Sequence, residues 1–453
     1  MRFGGDGVRM RLPVVFLVLL FAVGLAGGSP LRADEPARAN EPVRTNEPGT
    51  AAAKPYRLPP DKLRQAKVLG GIQPVLYFGS EAGGLLALSL LLATGEASRL
   101  ARWTASRTRR GWLQAAAYSA LLVMLLFVAA ELPFAAIGHG FSLHYGISVE
   151  NWPAWLLDQA KTLGLTVLVE APLLMLVFGL MQWGWSRRLY WLWFAAAVVP
   201  LMVLGAFLLP QIVEPLFYNF EPLAKSHPAL VAELERVVAR TGSNIPPERM
   251  FLMRASEKSN GLNAYVSGLG ASKRIVVWDT TADRMPADEI LFTFAHETGH
   301  YVLHHIAKGL ALAAIGTFVL CWLVARLAEW MVRRWGRRWQ VPAITSLPAL
   351  AVLLLAFSIL QAVTEPVSNF VSRAIEHEAD VYGQEAMHGI VADPRKTAVS
   401  AFNHLGEAYL DDPEPNPFIV FWMYDHPSIQ DRAIFAAGYD PWVAGGRPHF
   451  FAR

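Results

Sequence analysis

The chain has 453 residues, of which 53% are apolar and only 17% charged, and its formal net charge is +3. A soluble protein of this size carries about a quarter charged residues, whereas here the apolar excess gathers into runs of about 20 residues, the length of a bilayer-crossing helix. These features exclude an ordinary soluble protein and a nucleic-acid binder, because the small positive excess sits as arginines beside the apolar runs, where it reads as a topology signal.

At the N-terminus, Arg9 and Arg11 precede an apolar stretch over residues 12–26, followed by Gly27-Gly28-Ser29-Pro30. A basic start, a short apolar core and small residues describe a secretory signal peptide, with a retained first membrane helix as the alternative for residues 1–30. Residues 31–70 are expected to be a flexible linker leading into an amphipathic N-terminal segment, since the stretch to about residue 55 is rich in Pro, Ala, Asn and charge. Six further apolar runs follow, at 72–95, 113–137, 163–184, 190–213, 306–328 and 341–363, each long enough to span. The expected organisation is therefore four transmembrane helices in 71–213 and two in 306–363. Residues 214–305 and 364–453 are left as the two parts of an extramembrane domain.

Arginines mark three of the loops: Arg99, Arg102, Arg107, Arg109 and Arg110; then Arg187 and Arg188; then Arg333, Arg334, Arg337 and Arg338. These loops must share one side, and their charge assigns it to the cytoplasm. The extramembrane domain then faces the opposite side, as a cleaved signal peptide also predicts. Three carboxylates fall inside the runs. Glu81 and Glu170 are expected on an interior, hydrated face, and Glu131, close to Pro133, at an interface. Cys321 is the chain's one cysteine and lies mid-run, where it can form neither an intramolecular disulfide nor a structural zinc site.

Two extramembrane stretches carry chemistry. His296-Glu297-Thr298-Gly299-His300 follows Pro286 and Asp288, a helix-start signal, and the apolar residues Ile290, Leu291, Phe292 and Phe294. Histidines four apart on a helix project from one face, one turn apart, and can ligate one zinc ion at about 2.0–2.1 Å. Glu297, beside the first ligand, can take the proton of a zinc-bound water. His304 and His305 continue the sequence and read as non-ligands at the membrane boundary. A catalytic zinc needs a third protein ligand. Glu376 and Asp380 lie one helical turn apart, so that Glu376 can ligate and Asp380 can hydrogen-bond a ligating histidine. Composition by itself does not choose between Glu376 and Glu378, and His377 and Glu378 otherwise read as a solvated or packed face. Upstream, Asn263-Ala264-Tyr265 and Arg274-Ile275-Val276-Val277-Trp278 read as strand, turn, strand.

Together these motifs resemble the type I CAAX prenyl endopeptidase family, multi-spanning zinc proteases with H-E-x-x-H and a distant E-x-x-A-D element. The pattern Ser372-Arg373-x-x-Glu376-x-x-Ala379-Asp380 is similar to that element. So are Leu58-Pro59-Pro60, His139-Gly140-Phe141, Pro215-Leu216-Phe217, Phe220-Glu221-Pro222-Leu223 and His426-Pro427 with Arg432, so the likeness covers nearly all of residues 56–436. The resemblance implies a mainly α fold: a multi-spanning transmembrane bundle with a gluzincin-type zinc protease domain carrying a small β element, around a large intramembrane chamber. It implies one zinc ion on His296, His300 and Glu376. Asn263, Ala264 and Tyr265 would pair with substrate backbone, His426 would donate to the oxyanion, and Arg432 would support His426 or the zinc glutamate.

The expected protein is a membrane-embedded zinc metalloendopeptidase. It would cleave membrane-associated or hydrophobic peptides and proteins, lipidated CAAX-type substrates included, in contact with the lipid bilayer and without a nucleic-acid partner. In topology the chain departs from eukaryotic relatives, which work towards the cytosol; the arginine pattern suggests a bacterial inner-membrane protein with a periplasmic protease domain. Prenylated proteins are not expected there, which points to turnover of peptides or damaged membrane proteins. One alternative is a membrane quality-control or transport protein with a vestigial metal site, against which the intact His296, Glu297, His300 and Glu376 argue. A hydrolase of small amides is another, against which the strand at Asn263-Ala264-Tyr265 argues.

Overall fold

The computed structural model describes residues 55–183, 188–268, 273–443 and 447–451. The expected signal peptide or first helix, and the linker up to residue 54, lie outside the described residues. The first helix, α1 (Pro60–Ala93), opens on a proline, whose fixed φ and missing N–H suit a first helical turn, with Asp61 complementing the positive helix end. Residues 60–70 are therefore the start of a span-length helix. Tyr56, Leu58, Ala66 and Leu69 bury themselves in the extramembrane core, where the Tyr56 hydroxyl donates to the Asp411 carbonyl at 2.8 Å.

The chain continues through α2 (Glu96–Arg107), α3 (Gly111–Leu126), a π-helical turn at Phe127–Glu131, and α4 (Leu132–His144). The wide turn sits just before Pro133, which has no N–H for a regular ladder. Then come α5 (Trp152–Gln182) and α6 (Tyr190–Leu208). Among the described residues five helices are long and apolar enough to cross a membrane: α1, the continuous Gly111–His144, α5, His305–Trp335 and Ala349–Ala386. A bent pair, Tyr190–Ala206 with Gln211–Phe217, makes a sixth if it is one span. Leu86, Leu168, Ile315, Val319 and Val363 stand exposed on these helices, as side chains that face lipid do. Glu81, Glu131 and Glu170 are all half-buried, and each has an interaction partner.

The two ends of the bundle differ. At one end the arginine-bearing loops gather: Ser98 donates to the Gln340 carbonyl at 2.8 Å, and Gln182 donates to the Thr345 carbonyl. At the other end, Lys258 of the extramembrane domain pairs with Asp158 of α5 and with Glu150 at 3.4 Å, and backbone bonds join Val149 to Lys258 and Asn260 to Ile147.

The extramembrane domain contributes β1 (Phe220–Pro222), α7 (Pro228–Thr241), β2 (Met250–Met253), β3 (Ala264–Ser267), β4 (Arg274–Trp278) and α8 (Ala287–Val302). The spans α9 (His305–Trp335) and α10 (Ala349–Ala386) follow, then α11 (Pro394–Tyr409), α12 (Pro417–Met423) and α13 (Ile429–Gly438). The sheet has the order β1-β2-β4-β3, with β2 and β4 parallel and both outer pairs antiparallel. Central β4 alternates with period two: Ile275 and Val277 enter the main extramembrane core, while Val276 and Trp278 enter a smaller cluster on the opposite face.

Candidate active site

The site is built where α8 crosses α10. Asp288 and Glu289 occupy the first turn of α8, where negative charge favours the helix end. Its buried residues Ile290, Leu291, Phe292 and Phe294 seat it in the core. Two glycines allow the helices to approach closely. A Cβ on Gly299 would stand 3.0 Å from the Tyr382 ring, and one on Gly383 would stand 3.0 Å from the backbone of His296.

This approach brings the E-x-x-A-D face of α10 against the H-E-x-x-H face of α8. His296 Nε2 and His300 Nε2 are 3.3 Å apart. Glu376 reaches both, with Oε2 at 3.2 Å from His296 and Oε1 at 3.6 Å from His300. Metal ligands at about 2.0–2.1 Å in a tetrahedron stand roughly 3.3–3.4 Å from one another, so the donor spacing fits a tetrahedral cation. Glu376 Oε2 is also buried without a well-aligned hydrogen bond, and a bound cation would satisfy it. Among the described residues this is the one group of three such side chains able to hold a metal.

The electrostatics agree with that reading. Burial presses His296 down, but the carboxylates of Asp380 and Glu376 beside it outweigh burial and hold the imidazole at about 9. The carboxylates thus already favour a positive charge at this point. Burial pushes His300 down to about 3, keeping it in the neutral form that a ligand requires. Glu297 is raised, chiefly by burial, the direction that brings a carboxylate closer to proton exchange near neutral pH.

Asp380 Oδ1 lies 2.9 Å from His296 Nδ1. Arg432, on α13, holds Asp380 through two bonds of 2.9 and 2.6 Å. The arginine's fork is therefore spent on Asp380 and not directly on His426 or Glu376. His426, just before α13, points Nε2 at Glu376 Oε2 (3.1 Å) and Nδ1 at Asp425 (3.0 Å). Burial would lower its pKa, yet the negative charge of Glu376 outweighs burial and raises it.

β3 is an edge strand packed beside α8. The Trp278 N–H donates to the Asn263 carbonyl at 3.0 Å, so the bonded positions fall on alternate residues from Asn263. The N–H and C=O groups of Ala264 and Val266 are thereby left facing the open edge. Tyr265 is buried, and its hydroxyl donates to Glu214 at 2.8 Å, a carboxylate also held by Arg274 at 2.7 Å. Sequence reasoning passed over one contribution: His305 is buried against His300, and Glu378 reaches His305. His377, by contrast, packs on the Phe435 ring.

Comparison with known proteins follows the same division of the chain. Residues 224–438 match the model of peptidase family M48, and residues 76–219 match that of the CAAX prenyl protease N-terminal region, described as five membrane helices. The chain is 31% identical over 388 residues to an uncharacterized metalloprotease, YhfN, of Bacillus subtilis, covering 85% of this chain and 87% of that one. To CAAX prenyl protease 1 of Saccharomyces cerevisiae it is 25% identical over 69% of each chain. The crystal structure of S. mikatae Ste24p shares the fold, with a TM-score of 0.73 at 18% identity over 94% of this chain and 99% of that chain.

Proposed function

The chain belongs to peptidase family M48 and is an integral membrane metalloendopeptidase, and from that premise we propose that its metal is a single zinc ion held by His296, His300 and Glu376. The observation that carries the assignment is the convergence of these three donors at tetrahedral spacing, with Glu297 on the same helix. Bound there, zinc would acidify a water molecule and polarise the scissile carbonyl. Glu297 takes the proton from the attacking water and returns it to the leaving amine. His426 donates a hydrogen bond to the oxygen that gains charge. Asp380, held by Arg432, orients His296. The open groups of Ala264 and Val266 pair with substrate backbone in the manner of an added strand, and Tyr265 anchors that strand to Glu214.

The substrates we propose are unlipidated hydrophobic or membrane-associated peptides and damaged membrane proteins, with the active site on the periplasmic side of a bacterial inner membrane. The arginine-bearing loops, gathered at the bundle end away from the protease domain, support that orientation. The test is cleavage of a long fluorescence-quenched peptide by detergent-purified protein, with wild type beside Glu297→Gln. Activity that is lost in the variant while one zinc per chain remains bound is the expected result. Activity that survives in Glu297→Gln would remove the base from the mechanism. Cleavage only of a farnesylated peptide would overturn the substrate class and leave the zinc chemistry intact.

A further inference from the structure

We propose that His305 and Glu378 form a positioning pair that holds His300 in the orientation and tautomer of a metal ligand. The inference rests on the ligand assignment above and extends it to His305, beyond the H-E-x-x-H motif, and to Glu378, at a variable position of the E-x-x-A-D element.

The backbone makes the contact possible. On an unbroken helix, residues five apart point about 140° away from one another. Here α8 ends at Val302, and His304 takes a left-handed conformation, φ 58° and ψ 30°, which is uncommon outside glycine and breaks the helix. The chain turns at this residue, α9 starts in a new direction, and His305 returns over His300. Their Nδ1 atoms are 3.1 Å apart, and their rings meet edge to face at 5.1 Å. His305 is 2% exposed, and its Nε2 lies 3.1 Å from Glu378 Oε2.

Each atom in this row has one consistent role. Glu376 lies on the Nε2 side of His300, so His300 would ligate through Nε2 and carry its proton on Nδ1. That N–H must donate, so the facing Nδ1 of His305 must accept. The proton of His305 then sits on Nε2 and donates to Glu378, an acceptor. His305 stands behind His300, away from the converging donors, which makes it a support and not a fourth ligand. His296 has a shorter arrangement of the same kind, with Nδ1 at 2.9 Å from Asp380 and Asp380 gripped by Arg432. Hydrogen-bonded partners of this sort commonly change metal affinity by about 10- to 100-fold.

The experiment follows zinc release from the loaded, detergent-purified full chain into an excess of chromogenic chelator. His305→Phe keeps a ring and removes both nitrogens; it is expected to release zinc roughly 10- to 100-fold faster than wild type. His305→Asn, whose amide oxygen can accept from His300, should fall between the two, and Glu378→Gln should be faster than wild type by a smaller factor. A merely structural defect would lower the unfolding temperature equally in zinc-loaded and chelator-treated protein, whereas a positioning defect lowers chiefly the loaded value. Wild-type release by His305→Phe overturns the pair. If that variant does not fold, Glu378→Gln, a near-isosteric change at a half-buried side chain, decides in its place, and an unchanged rate overturns the proposal. His300→Ala in the same assay separates the two levels: if it holds zinc as firmly as wild type, the ligand assignment itself fails.

Discussion

His426 sits 3.1 Å from Glu376, near enough to be taken for a further ligand, and its role is decided by metal content. As an oxyanion donor, His426→Ala should lose roughly 10²–10³-fold in kcat with little change in KM, while atomic absorption still finds one zinc per chain. Loss of the zinc would make it a ligand instead. Arg432 poses a different problem, because it neutralises a carboxylate that is 2% exposed. Removing one partner of a buried ion pair costs about 3–5 kcal/mol, so Arg432→Met should unfold well before wild type in a denaturant titration. Arg432→Met together with Asp380→Asn should recover part of that loss, since no uncompensated charge then remains. That His296 and His300 share one face was legible from spacing, because residues four apart on a helix stand one turn above each other. The choice between Glu376 and Glu378 was not legible from composition, because neighbouring carboxylates differ only in which helix they meet.

The crossing of α8 and α10 depends on two glycines of unequal tolerance. An added methyl at Gly299 would press on the Tyr382 side chain, whereas one at Gly383 would press on the backbone of His296, which has less freedom to yield. Gly383→Ala should therefore cost more than Gly299→Ala, about 1–3 kcal/mol for a forced insertion, and should also lower zinc occupancy; equal effects would refute the close backbone approach as the cause. The far end of α10 has its own anchor. Glu385 is fully buried and accepts from the Tyr439 hydroxyl and from the backbone N–H groups of His449, Phe450 and Phe451 at 2.6, 2.7 and 3.1 Å. Phe450 and Phe451 in turn pack their rings at a tilt against Tyr382, which lies against Gly299. Glu385→Leu would remove the shared acceptor of four donors at once, whereas Tyr439→Phe removes one donor; thermal unfolding in detergent should show a much larger loss for Glu385→Leu. Nothing in the local pattern around Glu385 announces this role, since its partners lie more than fifty residues away.

At the scale of the whole molecule, the residues of the candidate site come from two chain segments separated by α9 and the first part of α10, so the site closes only when the chain has passed through both helices. Orientation is the testable consequence. With Cys321 replaced by serine, a thiol reagent that cannot cross membranes should label Ala232→Cys in intact cells and Ser106→Cys only after lysis. The opposite pattern would place the protease domain in the cytoplasm. The sequence by itself determined the spanning helices, the helical pair of histidines with its glutamate, and the strands. Those features rest on length, hydropathy and periodicity, which are properties of a contiguous stretch. Only the tertiary structure decided that residues 60–70 begin a helix seated on the catalytic core, that Arg432 serves Asp380, and that His305 turns back onto His300. Those outcomes depend on how closely α8 and α10 can approach and on one left-handed residue between α8 and α9, and their consequences lie in contacts between distant stretches of chain.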